Sequence, residues 1–424
     1  MILSEKAALT QAETEIIDNF AALKGKLPQG VSSLKTAREA AMAVFCKHGL
    51  PSRRMESWHY TDLRTQLIHV APYSSKAGGA LPAPLLPENT VLGLINGQVI
   101  ASGKAEEEAS AMPFGALLAS GRVDLPQDFA TDNVIAQLNT AFVSDGWKLD
   151  IPENTSSGKI IELQNIQNGA QSHVRFPVTV GKNANVTIIE RQSGDDKESF
   201  TSSVSNLDIA VGAQVCWIII RKRGMASTEL NQFNARLGKD AGLKLYIINA
   251  GSRFLRQEIN VDLDGIGADF QLRGINLLSA KTHTDITMTV RHLVEGTTSA
   301  EIIRNVAMDE ARGVFQGMIR VAKEAQKTDA RMACNSLILS DSAEFDAKPE
   351  LEIFADDVAC GHGATVAEID HDHLFYLMAR GIPEAQARGM LVKAFVGELI
   401  EELGREEIEE ALQTLLDQWL QAHI

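Results

Sequence analysis

Residues 238–249 read GKDAGLKLYIIN: a turn-forming Gly-Lys-Asp, a small residue, then apolar Leu243, Leu245 and Ile247 alternating with their neighbours. A two-residue period is that of a half-buried strand, whose successive side chains point to opposite faces. The same texture returns at Ile259-Asn260-Val261-Asp262-Leu263. The opening of the stretch also recurs. GKNANV starts at Gly181, GAQV at Gly212 and GADF at Gly267, so Ala184, Ala213, Ala241 and Ala268 fall 29, 28 and 27 residues apart. A drifting period near 28 with two strands per unit predicts a stacked β-solenoid. In such a fold each turn leaves an apolar face open until the next turn covers it. A β-sandwich is the alternative, and the sequence period argues against it.

The strand texture defines an expected β-helix core over residues 148–368. Residues 1–90 form an expected N-terminal helical region and linker. One helix carries Ile16, Ile17, Phe20 and Leu23 on one face, and a second runs from Leu34 to Cys46 before the Gly49-Leu50-Pro51 stop. PSRRMESWHYTDLR follows at 51–64, then YSSKAGGALPAPLLPE at 73–88, whose Ser, Gly, Pro and Ala argue for a linker. Residues 91–147 lead into the core through a hairpin (91–102) turning at Asn96-Gly97 and a short helix (132–142).

Residues 369–424 return to a helical period. Pro383 suits a helix N1 position, and Met390, Leu391, Ala394, Phe395, Leu399 and Ile400 follow at helical spacing. Gly404 suits a C-terminal cap, and Ile408, Leu412, Leu415, Leu416 and Trp419 make a second stripe. These stripes pack on the solenoid, on each other, or on a partner.

The 424 residues exceed one ordinary core, and a net charge of −15 argues against a nucleic-acid partner, which needs clustered Lys and Arg. The first residues lack a basic segment followed by an apolar one, and no run of about 18 apolar residues is present. Cys46, Cys216, Cys334 and Cys360 are widely spaced, with no CxxC pair. The expected location is the cytoplasm, away from membranes.

The sharpest chemical cluster is Cys360-Gly361-His362-Gly363-Ala364-Thr365. Thiolate and imidazole suit iron, zinc or copper, and the glycines leave His362 uncrowded. If the strand continues through Gly361, Cys360 and His362 share a face. One Cys and one His do not complete a tetrahedral site, so further ligands would come from elsewhere in the fold, another chain, or inorganic sulfide. The bland reading is a buried cysteine and a turn histidine. Cys334, Cys216 and Cys46 read as core thiols. His371 and His373 read as a polar turn before a helix, and Asp356-Asp357 as a solvated turn. The absence of GxxxxGK[ST] predicts that this chain binds no ATP by a P-loop, and no GxSxG or HExxH is present.

Residues 339–395, LSDSAEFDAKPELEIFADDVACGHGATVAEIDHDHLFYLMARGIPEAQARGMLVKAF, closely resemble the SufB/SufD family of iron–sulfur cluster assembly proteins. The most specific pieces are AKPELEI from Ala347, CGHGAT from Cys360, and LFYL from Leu374 with Arg380-Gly381-Ile382. MESWHYTDLR and LNTAF (138–142) extend the likeness to the N-terminal part. Gly363 after His362, where SufB-like chains carry Glu after the His, the lack of clustered N-terminal cysteines, and the shorter length favour the SufD branch. The resemblance implies a right-handed parallel β-helix between helical ends. It implies a non-enzymatic scaffold subunit, with a SufB-like paralogue and a SufC-like ABC ATPase as partners. It further implies a transient Fe–S cluster at the SufB–SufD interface, with no ATP bound by this chain. His362 matches the family histidine that contributes to that site, and Cys360 the cysteine two residues before it. The ATPase would dock on the C-terminal helices through Met390, Leu391, Phe395, Leu399, Leu412, Leu416 and Trp419. A homodimer in the absence of the paralogue stays open. The competing class is a carbohydrate-active β-helix enzyme resembling a polysaccharide lyase, which the missing secretion signal disfavours.

Overall fold

The computed structural model describes residues 8–73, 78–100 and 110–424. Residues 74–77 of the expected linker, and Ala101 and Ser102 at the end of the expected hairpin, lie outside these described residues. The strands form two facing sheets. One holds β1 (Thr90–Ile95), β2 (Gln98–Ile100), β5 (Ser156–Gln167), β7 (Asn185–Gly194), β9 (Gln214–Lys222), β11 (Gly242–Asn249), β13 (Asp269–Leu278), β15 (Thr298–Ala307), β17 (Asp329–Ile338) and β19 (Ala359–Glu368). The other holds β3 (Ala111–Pro113), β4 (Asp145–Ile151), β6 (Ala170–Val180), β8 (Ser199–Ile209), β10 (Ser227–Leu237), β12 (Phe254–Leu263), β14 (His283–His292), β16 (Arg312–Val321) and β18 (Glu344–Ile353). From β4 onward successive strands alternate between sheets, so each turn gives one strand to each, and the ladders are parallel. This is the expected solenoid, with about 8 turns. Its two ends differ. At the first turn β2 and β3 add antiparallel to β1 and β4, whereas β18 and β19 are simply the last strands.

The repeat found in the sequence is one corner of each turn. Asn183, Gly212, Asp240 and Gly267 have φ of 55, 69, 54 and 75° there, which favours Gly, Asn and Asp. The alanines that follow, Ala184, Ala213, Ala241 and Ala268, are buried inside the corner. The corner continues at Gly296-Thr297 and Lys327-Thr328, with buried threonine in place of alanine. That exchange is why the repeat fades from the sequence after Ala268.

Inward columns of Val, Leu and Ile, with Trp217, Phe233, Phe270 and Phe315, fill the interior. The outer faces are covered too. Cys216-Trp217-Ile218-Ile219-Ile220 breaks the alternation because Trp217 and Ile219 face the interior while Ile218 and Ile220 lie beneath the C-terminal helices. The helices are α1 (Gln11–Leu23), α2 (Ser32–His48), α3 (Leu63–Gln66), α4 (Phe114–Ala119), α5 (Val134–Phe142), α6 (His371–Met378), α7 (Glu384–Glu401) and α8 (Glu406–His423). A capping box between Thr10 and Glu13 starts α1, and Gly49, at φ 71°, ends α2. Pro383 is the N-cap of α7 rather than its N1 residue, because its ψ of 145° is extended.

The MESWHY stretch fastens the N-terminal layer to the outer face of the second sheet. Arg256 of β12 and Asp285 of β14 form a buried ion pair at 2.7 Å. Trp58 lies over the Arg256 guanidinium at 4.2 Å, and the Ser57 carbonyl accepts from Arg256 Nη2 at 2.7 Å. Thr61 bonds His283 Nε2 at 3.2 Å and also donates to Asp285. The cover shields this buried pair and satisfies Arg256 Nη2, while Arg256 Nε keeps no hydrogen-bond partner. Glu56 reaches further, to Lys348 of β18. Trp58→Ala should cost about 3–5 kcal/mol in urea unfolding; an unchanged midpoint would mean that the stretch contributes little to stability.

Candidate functional site

The register between strands sets the site. Leu272, Glu301, Met332 and His362 stand opposite one another on β13, β15, β17 and β19. Ser299, Ala330 and Cys360 form the neighbouring column. Glu301, Met332, Ser299 and Ala330 are buried, so both columns face the interior. Strands in a sheet lie about 4.8 Å apart. His362 and Cys360 therefore occupy the inward positions of the last turn, with no further turn above them. The strand does continue through Gly361, so the two share a face.

Cys360 is half-buried and His362 exposed. Burial pushes the Cys360 thiol up, offset in part by a backbone hydrogen bond at Ala330, while nearby Asp329 adds to the rise. A metal binding there must displace that proton. Gly361 and Gly363 point the other way, and an added Cβ at either would meet nothing within 4 Å. The isolated fold thus has no steric need for them. Among the described residues no three or more His, Cys, Asp or Glu groups come together to hold a metal. Cys360 and His362 alone do not complete a metal site.

The remaining cysteines serve packing. Cys334 is fully buried in the interior, its thiol pushed up to about 12 by burial. Cys216 is half-buried beneath the C-terminal helices and is pushed up to about 11. Cys46 packs half-buried in the N-terminal core. His371 and His373 lie in the first turn of α6, which Asp370 caps through the Asp372 and His373 amides. Asp357 pairs with Lys327 in a solvated turn.

The C-terminal residues divide sharply. Leu399, Leu412, Leu416 and Trp419 are buried against outward-facing Ile218, Ile220, Ile248, Ile275 and Leu277. Leu391 and Phe395 are half-buried in the same layer, and Arg304 lies over the Phe395 ring. Of the seven only Met390 is exposed. It borders a groove between α7 and α8 lined by Glu398, Glu401, Glu406, Glu409, Glu410 and Asp417, with Lys393 as the lone cation. Sequence reasoning missed the neighbouring surface. Phe375 is 72 % exposed, and Tyr376 and Met378 beside it are also exposed. The signal was available: Leu-Phe-Tyr-Leu-Met on a single short helix cannot be buried on every side.

The solenoid interior holds polar groups that the sequence did not reveal. Arg221, Asn249, Asn276, Asn305 and Ser336 bond one to the next at 2.6–3.0 Å. Glu301 is fully buried, and neither carboxylate oxygen has a hydrogen-bond partner. Burial pushes its pKa up to about 8; Ser299 and Arg273 offset this only partly.

The fold is a parallel solenoid whose last turn presents a thiol and an imidazole on its inward face. The profile of the SUF-system FeS cluster assembly SufBD core domain matches residues 163–395, and the chain belongs to this family. It is 28 % identical to the iron–sulfur cluster assembly protein SufD of Escherichia coli, over 88 % of this chain and 90 % of that protein. An iron–sulfur cluster assembly SufBD family protein of Synechocystis is 27 % identical over 93 % and 94 %. A chloroplastic protein of Arabidopsis thaliana is 25 % identical over 90 % and 85 %. The chain is thus a SufD-like iron–sulfur cluster assembly protein, and the polysaccharide lyase alternative falls away. No helix among the described residues is long and apolar enough to cross a membrane.

The raised Glu301 carboxyl gives a testable sign. The folded state holds its proton up to about pH 8, while an ordinary carboxyl releases it near 4.5. Stability therefore falls as pH rises between those values and levels off above. Glu301→Gln should gain on the parent protein across that window, by a few kcal/mol in order of magnitude at the alkaline end. Parallel denaturation curves at every pH would refute it.

Proposed function

We propose that this chain is the non-ATPase scaffold subunit of a SufB–SufC–SufD-type complex in the cytoplasm, and that a nascent iron–sulfur cluster is built where its solenoid ends. The supporting observation is that open end. β18 and β19 each pair with one neighbour only, and Cys360 and His362 stand in the last inward columns. Unpaired edges and an uncovered interior call for a partner. A longer, cysteine-bearing paralogue with the same strand spacing suits them, because its own last turn can continue both the hydrogen bonding and the columns.

The residues' chemistry fits a temporary cargo. His362 offers one imidazole nitrogen to iron across the interface. The paralogue and inorganic sulfide supply most of the remaining ligands, so this chain grips the cluster weakly and can let it go. Cys360, with its raised thiol, joins only when a metal displaces its proton.

The ATPase docks on the C-terminal layer through the exposed Phe375, Tyr376, Met378 and Met390, beside the acidic groove. Its matching surface carries apolar residues ringed by Lys and Arg. Leu399, Leu412, Leu416 and Trp419 act behind this face, holding the helices to the solenoid. ATP binding then biases the complex between arrangements of the interface, to the extent that it favours one over the other.

Anaerobic co-purification of the tagged chain should recover an ABC-type ATPase and the paralogue; recovery of neither sinks the proposal. His362→Ala should keep both partners yet lower cluster formation roughly tenfold, and undiminished assembly would remove the ligand role. Phe375→Asp with Met390→Asp should weaken ATPase binding by about 2 kcal/mol or more while the paralogue stays bound. Leu399→Asp is the contrast, expected to loosen the helix pair itself. Unaltered ATPase affinity in the double variant would place docking elsewhere.

A further inference from the structure

The two strands at the open end of the solenoid are not equivalent edges. Alternate residues of a parallel strand turn their backbone N–H and C=O to opposite neighbours. In β18 the even-numbered residues serve β16: the Glu344 N–H donates to the Ala311 carbonyl at 3.0 Å, and the Phe354 N–H, just past the strand, to that of Val321 at 3.0 Å. Phe345, Ala347, Pro349, Leu351 and Ile353 therefore turn to the free edge. In β19 the Ala359 N–H donates to the Thr328 carbonyl at 2.8 Å, so Cys360, His362, Ala364 and Val366 turn to the free edge. Each of these β19 residues offers a donor. The β18 edge lacks one at its centre, because Pro349 carries no N–H.

The same chain shows what a proline on the pairing side does. Pro177 of β6 turns toward β4, as does Gly181, whose N–H donates to the Ile151 carbonyl. The β4–β6 ladder runs Asp145–Val174 and Gly146–Arg175, then resumes only at Leu149–Val178. The break falls at Pro177. A strand added to β18 meets the same break at Pro349, where the nearest donors, Ala347 and Leu351, stand about 13 Å apart along the strand.

That break lies across the interior from His362. One turn below, Gly317 and Met332 face each other, since a Cβ on Gly317 would run into Met332 Sδ. Pro349 follows Gly317 and His362 follows Met332 in the last turn. A partner carbonyl brought to Pro349 finds no donor, and a buried carbonyl left without one is costly. Water at that point, or a bulge in the added strand, removes the cost. Either leaves an opening level with His362.

We propose that Pro349 keeps a water-filled port in the covered solenoid end, through which small hydrophilic ions such as ferrous iron and hydrosulfide reach His362. This rests on the reading that the paralogue covers that end. Pro349→Val supplies the missing N–H at similar volume. The cluster-free complex recovered by co-purification and the free chain are compared anaerobically by two readouts: amide hydrogen exchange across residues 359–368, and iodoacetamide alkylation of the peptide that holds Cys360. Partner binding should slow exchange in the parent and the variant alike. Alkylation in the parent complex should keep the free-chain rate, and in the Pro349→Val complex should fall about tenfold, the weight of one added hydrogen bond. Cys360 protected in the parent complex, or alkylated equally fast in both complexes, overturns the port while slowed exchange keeps the covered end. Exchange that partner binding leaves unchanged overturns both.

Discussion

Each turn of this solenoid depends on the next to cover its inward side chains and to take up its strand hydrogen bonds. At roughly 25 cal/mol per Å² of apolar surface, an uncovered turn gives up several kcal/mol. The N-terminal end meets this requirement within the chain, because β2 and β3 fold back antiparallel on β1 and β4. The C-terminal end does not. The helices that follow β19 pass instead to the flank of the solenoid, where they bury the outer face of the first sheet. Among the described residues, this uncovered last turn is where Cys360 and His362 stand.

The flanks follow the same logic from outside. A parallel sheet covered on both faces needs apolar residues pointing both ways, and β9 has them. The N-terminal layer covers the second sheet, with Phe200, Val204, Leu230 and Phe254 against Trp58, Leu63 and Phe142. Both helical regions are thus part of the core's stability and not loose appendages. Among the described residues they leave Phe375, Tyr376, Met378 and Met390 exposed.

The period near 28 was legible because one corner needs a left-handed residue followed by a buried small one, and Asn, Gly and Asp before Ala advertise that need. The last corners escaped notice, since Thr297 and Thr328 fill the same space with a different letter. The shared face of Cys360 and His362 followed from strand alternation once the strand was known to run on. Which stripe of the two long C-terminal helices would be covered, and by what, was not legible. Apolar spacing marks a face that must be covered, but the same stripe reads alike whether its cover is a sheet of the same chain or another protein. Leu399 and Trp419 met the first and Phe375 neither. Glu301 and the asparagine ladder lie beyond sequence reasoning for a related reason: their roles come from neighbours far along the chain, such as Met332 beside Glu301.

The contact between Glu56 and Lys348 spans 292 residues, and Gln316 reaches back to Ser57 across 259. A chain made from its N-terminus outward must wait for those distant partners to emerge. The solenoid can zip turn by turn and the first helices can seat on the helix at 134–142 and the early strands, but the Glu56–Thr61 stretch finds its partners only once β12, β14, β16 and β18 have been synthesised. Until then Trp58 stays without its Arg256 partner on the ribosome, so this stretch is the last part of the amino-terminal layer to lock.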